Sequence, residues 1–382
     1  MKVIIAPDSF KGSISAKELC SAIGAGIRTV FPEADLIELP MADGGEGTME
    51  NLVHATNGMI IDVSVTDPLG RSIPSAYGVL GDEKTAVIEM AQASGLPLLR
   101  DHERNPLRAS SFGTGELILH ALDQGYRKFI IGLGGSATND GGIGMLQALG
   151  VKFLMKNGQL IKNDVSDLLQ LDEIDLSSID QRLTEAEFVI ASDVTNPLCG
   201  PNGASHIFGP QKGATQEMVK ILDESLDQYG KVINERFNIN IHSVPGAGAA
   251  GGIGAGLIAF LGAKVMSGID TVMEAVQFES QLEDACLVLT GEGKLDEQTL
   301  SGKVISGVCK AATHHNIPVI AICGSNELSS GQLERLGVAA AFPIVSGPCS
   351  IETAMTQTER LVVQCVEQIM SVYRLGIGKR QG

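Results

Sequence analysis

Short apolar runs that end in loops of glycine and acid, each followed by a helix, occur at both ends of this chain. Nothing else in the sequence narrows the fold so far. Residues 2–6 read as a buried strand, and the loop Pro7-Asp-Ser-Phe-Lys-Gly-Ser13 follows it. Ser15 then opens a helix to Ile27, with Glu18 at the capping-box position and Leu19, Ala22, Ile23 and Ile27 at helical spacing. Residues 36–39 repeat the strand, and a glycine-rich loop leads to a helix ending near Thr56. The same grammar returns with strands at 287–290, 319–322 and 340–344 and helices at 302–313, 331–336 and 353–372. Such repeats build parallel sheets. Between them the pattern differs: 61–66, 75–80 and 85–90 alternate as antiparallel strands do. Helices at 113–125, 142–149 and 216–237 and strands at 129–133 and 188–192 follow. The expectation is an α/β chain in which a doubly wound parallel domain, residues 1–64 and 284–382, is interrupted by an inserted mixed α/β domain, residues 65–283. The acidic stretch 164–187 reads as a solvated surface segment. Residues 253–265 are apolar but too short to span a membrane, and read as a buried helix.

Charge excludes several functions. The chain of 382 residues carries a formal net charge of −17 and no Trp, which argues against nucleic acid, anionic membranes and base-stacking surfaces. Seven scattered cysteines without a CxxC pair indicate reduced thiols in a cytoplasm, with neither a disulfide frame nor a zinc site. The seven histidines show no metal-ligand spacing. The start has too short an apolar run for a signal peptide.

Chemistry is expected at the strand exits, where ligands of open α/β sheets bind. Asp8-Ser-Phe-Lys11-Gly12 offers an acid, a hydroxyl and a cation beside a helix start, or else an ordinary capped turn. Asp43-Gly-Gly-Glu-Gly47 offers two carboxylates for Mg²⁺ or for general base catalysis, or else a helix start that favours acids. Gly132-Leu-Gly134-Gly135-Ser136-Ala-Thr138-Asn139-Asp140-Gly-Gly142 holds five glycines, whose backbone N–H groups can converge on an anion, with hydroxyls on Ser136 and Thr138 and a metal ligand in Asp140. Thr290-Gly291-Glu-Gly293-Lys294-Leu-Asp296, with Ser301-Gly-Lys303 after it, sets acids against lysines. It is not a Walker A loop, because Val304 follows Lys303. Asp193-Val-Thr-Asn196 could meet metal or substrate, or form an Asx turn before Pro197. Gly246, Gly248 and Gly251 spell GxGxxG without a clear preceding strand, so close packing and ligand contact are equally open there. Lys212 adds one more cation in a turn. Lysines among acids and glycines suit phosphate with Mg²⁺.

Five segments together resemble one family. They are Ile5-Ala-Pro-Asp-Ser-Phe-Lys-Gly12, Met41-Ala-Asp-Gly-Gly-Glu-Gly-Thr48, the 132–142 loop, Ser192-Asp-Val-Thr-Asn-Pro-Leu-Cys-Gly-Pro201 and Leu289-Thr-Gly-Glu-Gly-Lys-Leu-Asp296. In this order, over nearly the whole chain, they resemble the type I glycerate kinases of bacteria. The resemblance implies a flavodoxin-like domain interrupted by a second α/β domain. It also implies phosphorylation of D-glycerate by ATP, giving 2-phosphoglycerate; the alternatives are 3-phosphoglycerate as the product, or another small hydroxy-acid or sugar-acid kinase.

On that reading Asp193 or Asp43 accepts the hydroxyl proton, and Lys11 and Lys294 offset developing charge or clamp the substrate carboxylate. Asp8, Asp140 and Asp296 are the candidates for Mg²⁺. Gly134, Gly135, Ser136, Thr138, Asn139, Gly291, Gly293 and Lys303 are the nucleotide contacts. The site is expected in a cleft between the domains, in a cytoplasmic enzyme with no nucleic-acid or membrane partner and with room for a homodimer. Three rival readings have less support. A galactokinase-like enzyme, suggested by residues 132–137, lacks support elsewhere in the chain. An NAD-dependent dehydrogenase rests on the GxGxxG alone. A sugar-acid-binding regulator lacks a basic DNA-reading helix.

Overall fold

The computed structural model describes residues 1–162, 164–301 and 304–378. The chain divides into two compact units, one of residues 1–43, 54–56 and from 272 onward, the other of residues 44–53 and 57–271. In chain order the strands are β1 Lys2–Ile5, β2 Asp35–Glu38, β3 Met59–Thr66, β4 Ser72–Val79, β5 Thr85–Glu89, β6 Lys128–Gly132, β7 Lys152–Met155, β8 Leu171–Asp175, β9 Glu187–Ala191, β10 Lys264–Met266, β11 Ala285–Leu295, β12 Val319–Asn326 and β13 Ala340–Pro343.

The first unit is a parallel sheet in the order β13-β12-β11-β1-β2. Counted within the unit, that is the 2-1-3-4-5 order of flavodoxin-like folds, and its switch point falls between β1 and β11. Val3, Ile5, Leu287 and Leu289 lie in its core against the helix Ala16–Val30 and residues 362–370. Buried on both faces, these strands can be continuous apolar runs. The helix Ala16–Val30 starts where its sequence signal lies. The Ser15 hydroxyl accepts from the Glu18 N–H, while the Glu18 carboxylate accepts from the Ser15 N–H at 3.0 Å. Gly26 brings this helix against Val366 so closely that a Cβ there would lie 2.7 Å from the valine's own Cβ.

The second unit holds a six-stranded mixed sheet, β10-β9-β6-β5-β4-β3, antiparallel from β3 to β5 and parallel from β5 to β10. Strand β3 therefore belongs to the second unit. A small antiparallel pair, β7 and β8, completes it. The stretch expected to be a solvated acidic segment is corrected here. Leu168, Leu171, Ile174 and Leu183 are buried in the core, while Asp172 and Glu173 between Leu171 and Ile174 are exposed. The apolar run at 253–265 divides into the end of the helix Ala249–Leu261 and β10.

Removing the Ser15 cap with Ser15→Ala is expected to lower the unfolding free energy by about 1 kcal/mol. Urea denaturation of the two proteins measures it, and an unchanged midpoint would contradict the capping assignment.

Candidate active site

At the switch point of the first unit the loop after β1 meets the end of β11. Asp8, Ser9, Lys11, Asp43, Glu292, Gly293, Lys294, Asp296, Gln298 and Thr299 line a pocket of ≈ 350 Å³. Four carboxylates and two ammonium groups thus share one small volume. The backbone sets this convergence. The Asp8 N–H donates to Gly291 O at 2.8 Å, and the Met41 N–H donates to Pro7 O at 2.9 Å. Phe10 and Ile14 exchange two backbone hydrogen bonds around Gly12, whose φ of +75° closes the turn that carries Lys11.

Residues 290–295, expected as a loop, continue the strand. Glu292, Lys294 and Leu295 pair with Cys323, Ser325 and Asn326 of β12. Gly291 permits the close approach, since a Cβ there would lie 2.4 Å from Ile322 O. Gly291 therefore serves sheet packing. The strand's period of two turns Glu292 and Lys294 to the pocket and Leu295 to the core. Lys294 is half exposed and ion-paired with Glu327 at 3.0 Å and Asp296 at 3.5 Å. Glu292 is buried and accepts a short hydrogen bond from Thr299 Oγ1. Asp296 accepts from the Gln298 N–H at 2.9 Å.

Burial pushes the Asp8 carboxyl up to about 6, and the neighbouring Asp43 charge adds to the rise. The Ser9 donors and the Lys11 ammonium oppose it. A carboxyl displaced in this way, in a pocket with other acids, is a functional-site signature.

The second unit presents loops at the carboxyl ends of β5, β6 and β9. The loop 132–142 is tied to its neighbour by Ala137 N–H to Ser94 O at 3.0 Å and Leu96 N–H to Gly135 O at 2.9 Å. Gly134 and Gly135 are exposed, whereas residues 136–140 are buried. Lys212 lies wholly inside, and its Nζ donates to Ser136 Oγ and Thr138 O, both at 2.7 Å. Burial pulls the Lys212 ammonium down to about 7, while the Asp140 charge opposes that fall.

Asp140 is fully buried, and its carboxylate accepts from Ser111 N and Oγ, Gly142 N and Gly144 N at 2.8–3.2 Å. It is a framework residue of the loop. Asn139 donates to Ser205 Oγ at 3.0 Å, and Thr138 and Asn139 are inaccessible. They too build the loop. Asp193 is exposed and accepts from the Gly268 N–H at 3.0 Å, at the start of the helix Gly268–Ala275. Asp43, and not Asp193, is among the residues that line the acidic pocket. Lys303 lies outside the described residues.

The GxGxxG stretch is decided in favour of packing. A Cβ on Gly251 would stand 2.0 Å from Thr138 O, and one on Gly252 would stand 2.8 Å from Gly141 Cα. Sequence reasoning missed Glu89, a buried carboxylate at the end of β5 that accepts from the Met49 N–H at 2.7 Å. An acid closing an apolar strand was the available signal. Lys212 gave none beyond its turn, because nothing in a sequence marks a lysine as buried.

The sequence profile of the glycerate kinase family matches residues 3–374. The chain is 48% identical over 375 residues to a glycerate kinase of Bacillus subtilis (strain 168), covering 98% of each chain. It is 46% identical over 377 residues to a protein of Escherichia coli (strain K12) named glycerate 2-kinase, covering 99% of each. A crystal structure of a protein assigned as glycerate kinase 2 from Salmonella typhimurium LT2 superposes with a TM-score of 0.91 at 46% identity, again over 99% of both chains.

Two outcomes are expected in the second unit. Gly251 has a φ of +69°, so Gly251→Ala meets both strain and a backbone clash and should cost roughly 2–4 kcal/mol in urea denaturation. Lys212 binds fewer protons folded than unfolded between about pH 7 and 10, because an unfolded lysine titrates near 10.4. Its contribution to stability therefore rises with pH across that window. The unfolding free energy of the wild type relative to Lys212→Met should be higher at pH 9 than at pH 7, and a constant difference would contradict the buried ammonium.

Proposed function

The chain belongs to the glycerate kinase family and is an ATP-dependent kinase, and from that premise we propose that it converts D-glycerate to 2-phosphoglycerate. The name of the Escherichia coli relative, glycerate 2-kinase, supports the 2-isomer. The observation that carries the mechanism is the pocket in which Asp8, Lys11, Asp43, Glu292, Lys294 and Asp296 converge at the β1/β11 switch point.

The γ-phosphoryl group passes in line to the substrate hydroxyl. Asp43 is the proton acceptor assigned here in preference to Asp193, because it shares the pocket with the other charged groups. Lys11 and Lys294 draw in the glycerate carboxylate and offset charge on the transferring group. Thr299 and the Ser9 N–H and hydroxyl fix the orientation of Glu292 and Asp8. Exposed Gly134 and Gly135 are a second candidate position for phosphate oxygens.

Mg²⁺ fits the acidic pocket by the chemistry of its donors. Carboxylate oxygens of Asp8, Asp296 and Glu292 are the hard ligands that this ion takes. When bound, the ion neutralises charge on the phosphates. Seven free thiols accord with a cytoplasmic setting. Among the described residues no helix is long and apolar enough to cross a membrane.

Phosphorus NMR of the protein with ATP, Mg²⁺ and D-glycerate is expected to show 2-phosphoglycerate. The 3-isomer would overturn the regiochemistry, and the absence of either would overturn the activity. Asp43→Asn should lower kcat at least about 100-fold, the lower bound for losing a general base. Asp8 must ionise to serve as a ligand, so kcat/KM should fall as pH drops through about 6. An unchanged kcat/KM between pH 7 and 5 would remove Asp8 from the mechanism.

A further inference from the structure

In the second unit three side chains without any sequence spacing in common come together. Cys199 Sγ, a carboxylate oxygen of Asp227 and a ring nitrogen of His242 lie within 4.8 Å of one another. Cys199 Sγ is 3.9 Å from Asp227 Oδ1, and His242 Nε2 is 3.1 Å from the same oxygen. Ligand atoms around a tetrahedral zinc stand about 3.3–3.5 Å apart, given bond lengths of roughly 2.0–2.3 Å. The two separations bracket that range. We propose that Cys199, Asp227 and His242 form a binding site for a borderline-soft divalent cation such as zinc, which clasps the loop after β9 to the helix Gln216–Phe237.

The surroundings hold each ligand in place. Gly200, next to Cys199, donates its N–H to Asp223 Oδ1 at 2.9 Å, which fastens the loop one helical turn from Asp227. Lys231 pairs with Asp227 Oδ2 at 2.5 Å. That contact occupies the outer oxygen and leaves Oδ1 directed at the thiol and the imidazole. Gly230 makes room for the ring, since a Cβ there would lie 2.5 Å from His242 Cε1. Orienting contacts of this kind are what metal ligands require. All three ligands are only partly buried, so an ion can reach them and a water can complete the fourth position.

The ligand chemistry separates this site from the acidic pocket. A thiolate and an imidazole select zinc-like ions, whereas Mg²⁺ takes oxygen. A metal–sulfur bond forms as the thiol proton leaves to water, so metal binding to such a ligand set tightens as pH rises. His206, 3.8 Å from Asp223, is a further titratable group beside the cluster.

The test is titration of the chelator-stripped, full-length protein with Co²⁺. The expected result is one ion per chain with a thiolate-to-metal charge-transfer band, displaced by Zn²⁺ but not by excess Mg²⁺. Cys199→Ser should abolish the band, and Cys349→Ser, at an exposed cysteine, should leave it intact. His242→Gln and Asp227→Asn should each weaken binding beyond the roughly 10- to 100-fold that loss of an outer-sphere partner costs. Circular dichroism confirms that each variant folds, and the latter two carry the test if Cys199→Ser does not. Absence of the band in the wild type, its survival in Cys199→Ser, or its loss in Cys349→Ser would overturn the site. Each of these readings is independent of kinase turnover.

Discussion

The pairing of β1 with β11 is the constraint on which the first unit depends. Two segments from opposite ends of the chain lie side by side in parallel, with Ile5 beside Leu289. Closing a loop of that length costs on the order of 5 kcal/mol in chain entropy, because the cost grows only with the logarithm of length. Val3, Ile4, Ile5, Leu287, Val288 and Leu289 are all fully buried. At about 1.5–3 kcal/mol for each such side chain, their burial exceeds the closure cost. The same pairing creates the switch point, and so brings Asp8 and Lys11 to Glu292 and Lys294.

The second unit rests on backbone meeting backbone. Gly251 and Gly252 lie against Thr138, Asn139 and Gly141, and Gly44 lies against Ala191 O. Contacts this close exclude any side chain, and they explain glycine density better than ligand binding does. The interior so formed holds a lysine and an aspartate. Their polar atoms are satisfied by four donors on Asp140 and two acceptors for Lys212. Burying an ion without such partners would cost far more.

Much of the fold was legible. Strand runs and the Ser15–Glu18 box announce themselves, because strand burial and helix capping act over a few residues. Several features were not. Residues 290–295 looked like a loop because glycines usually mark one, yet β12 runs alongside and extends the strand. The acidic segment before β9 hid its strand because its apolar residues are outnumbered, though Leu171 and Ile174 are buried. An acid among glycines is visible at Asp140, but the four donors turned toward it are not.

The sequence by itself determined the parallel sheet, the family and the strand exits at which acids and lysines cluster, since these follow from patterns local to each segment. Tertiary structure alone decided which charged groups share a space. It placed Asp43 with Asp8, enclosed Lys212 and Asp140, and gathered Cys199, Asp227 and His242. Charge and coordination depend on distance in space, and distance between remote residues is fixed only when the strands pair and the helices pack.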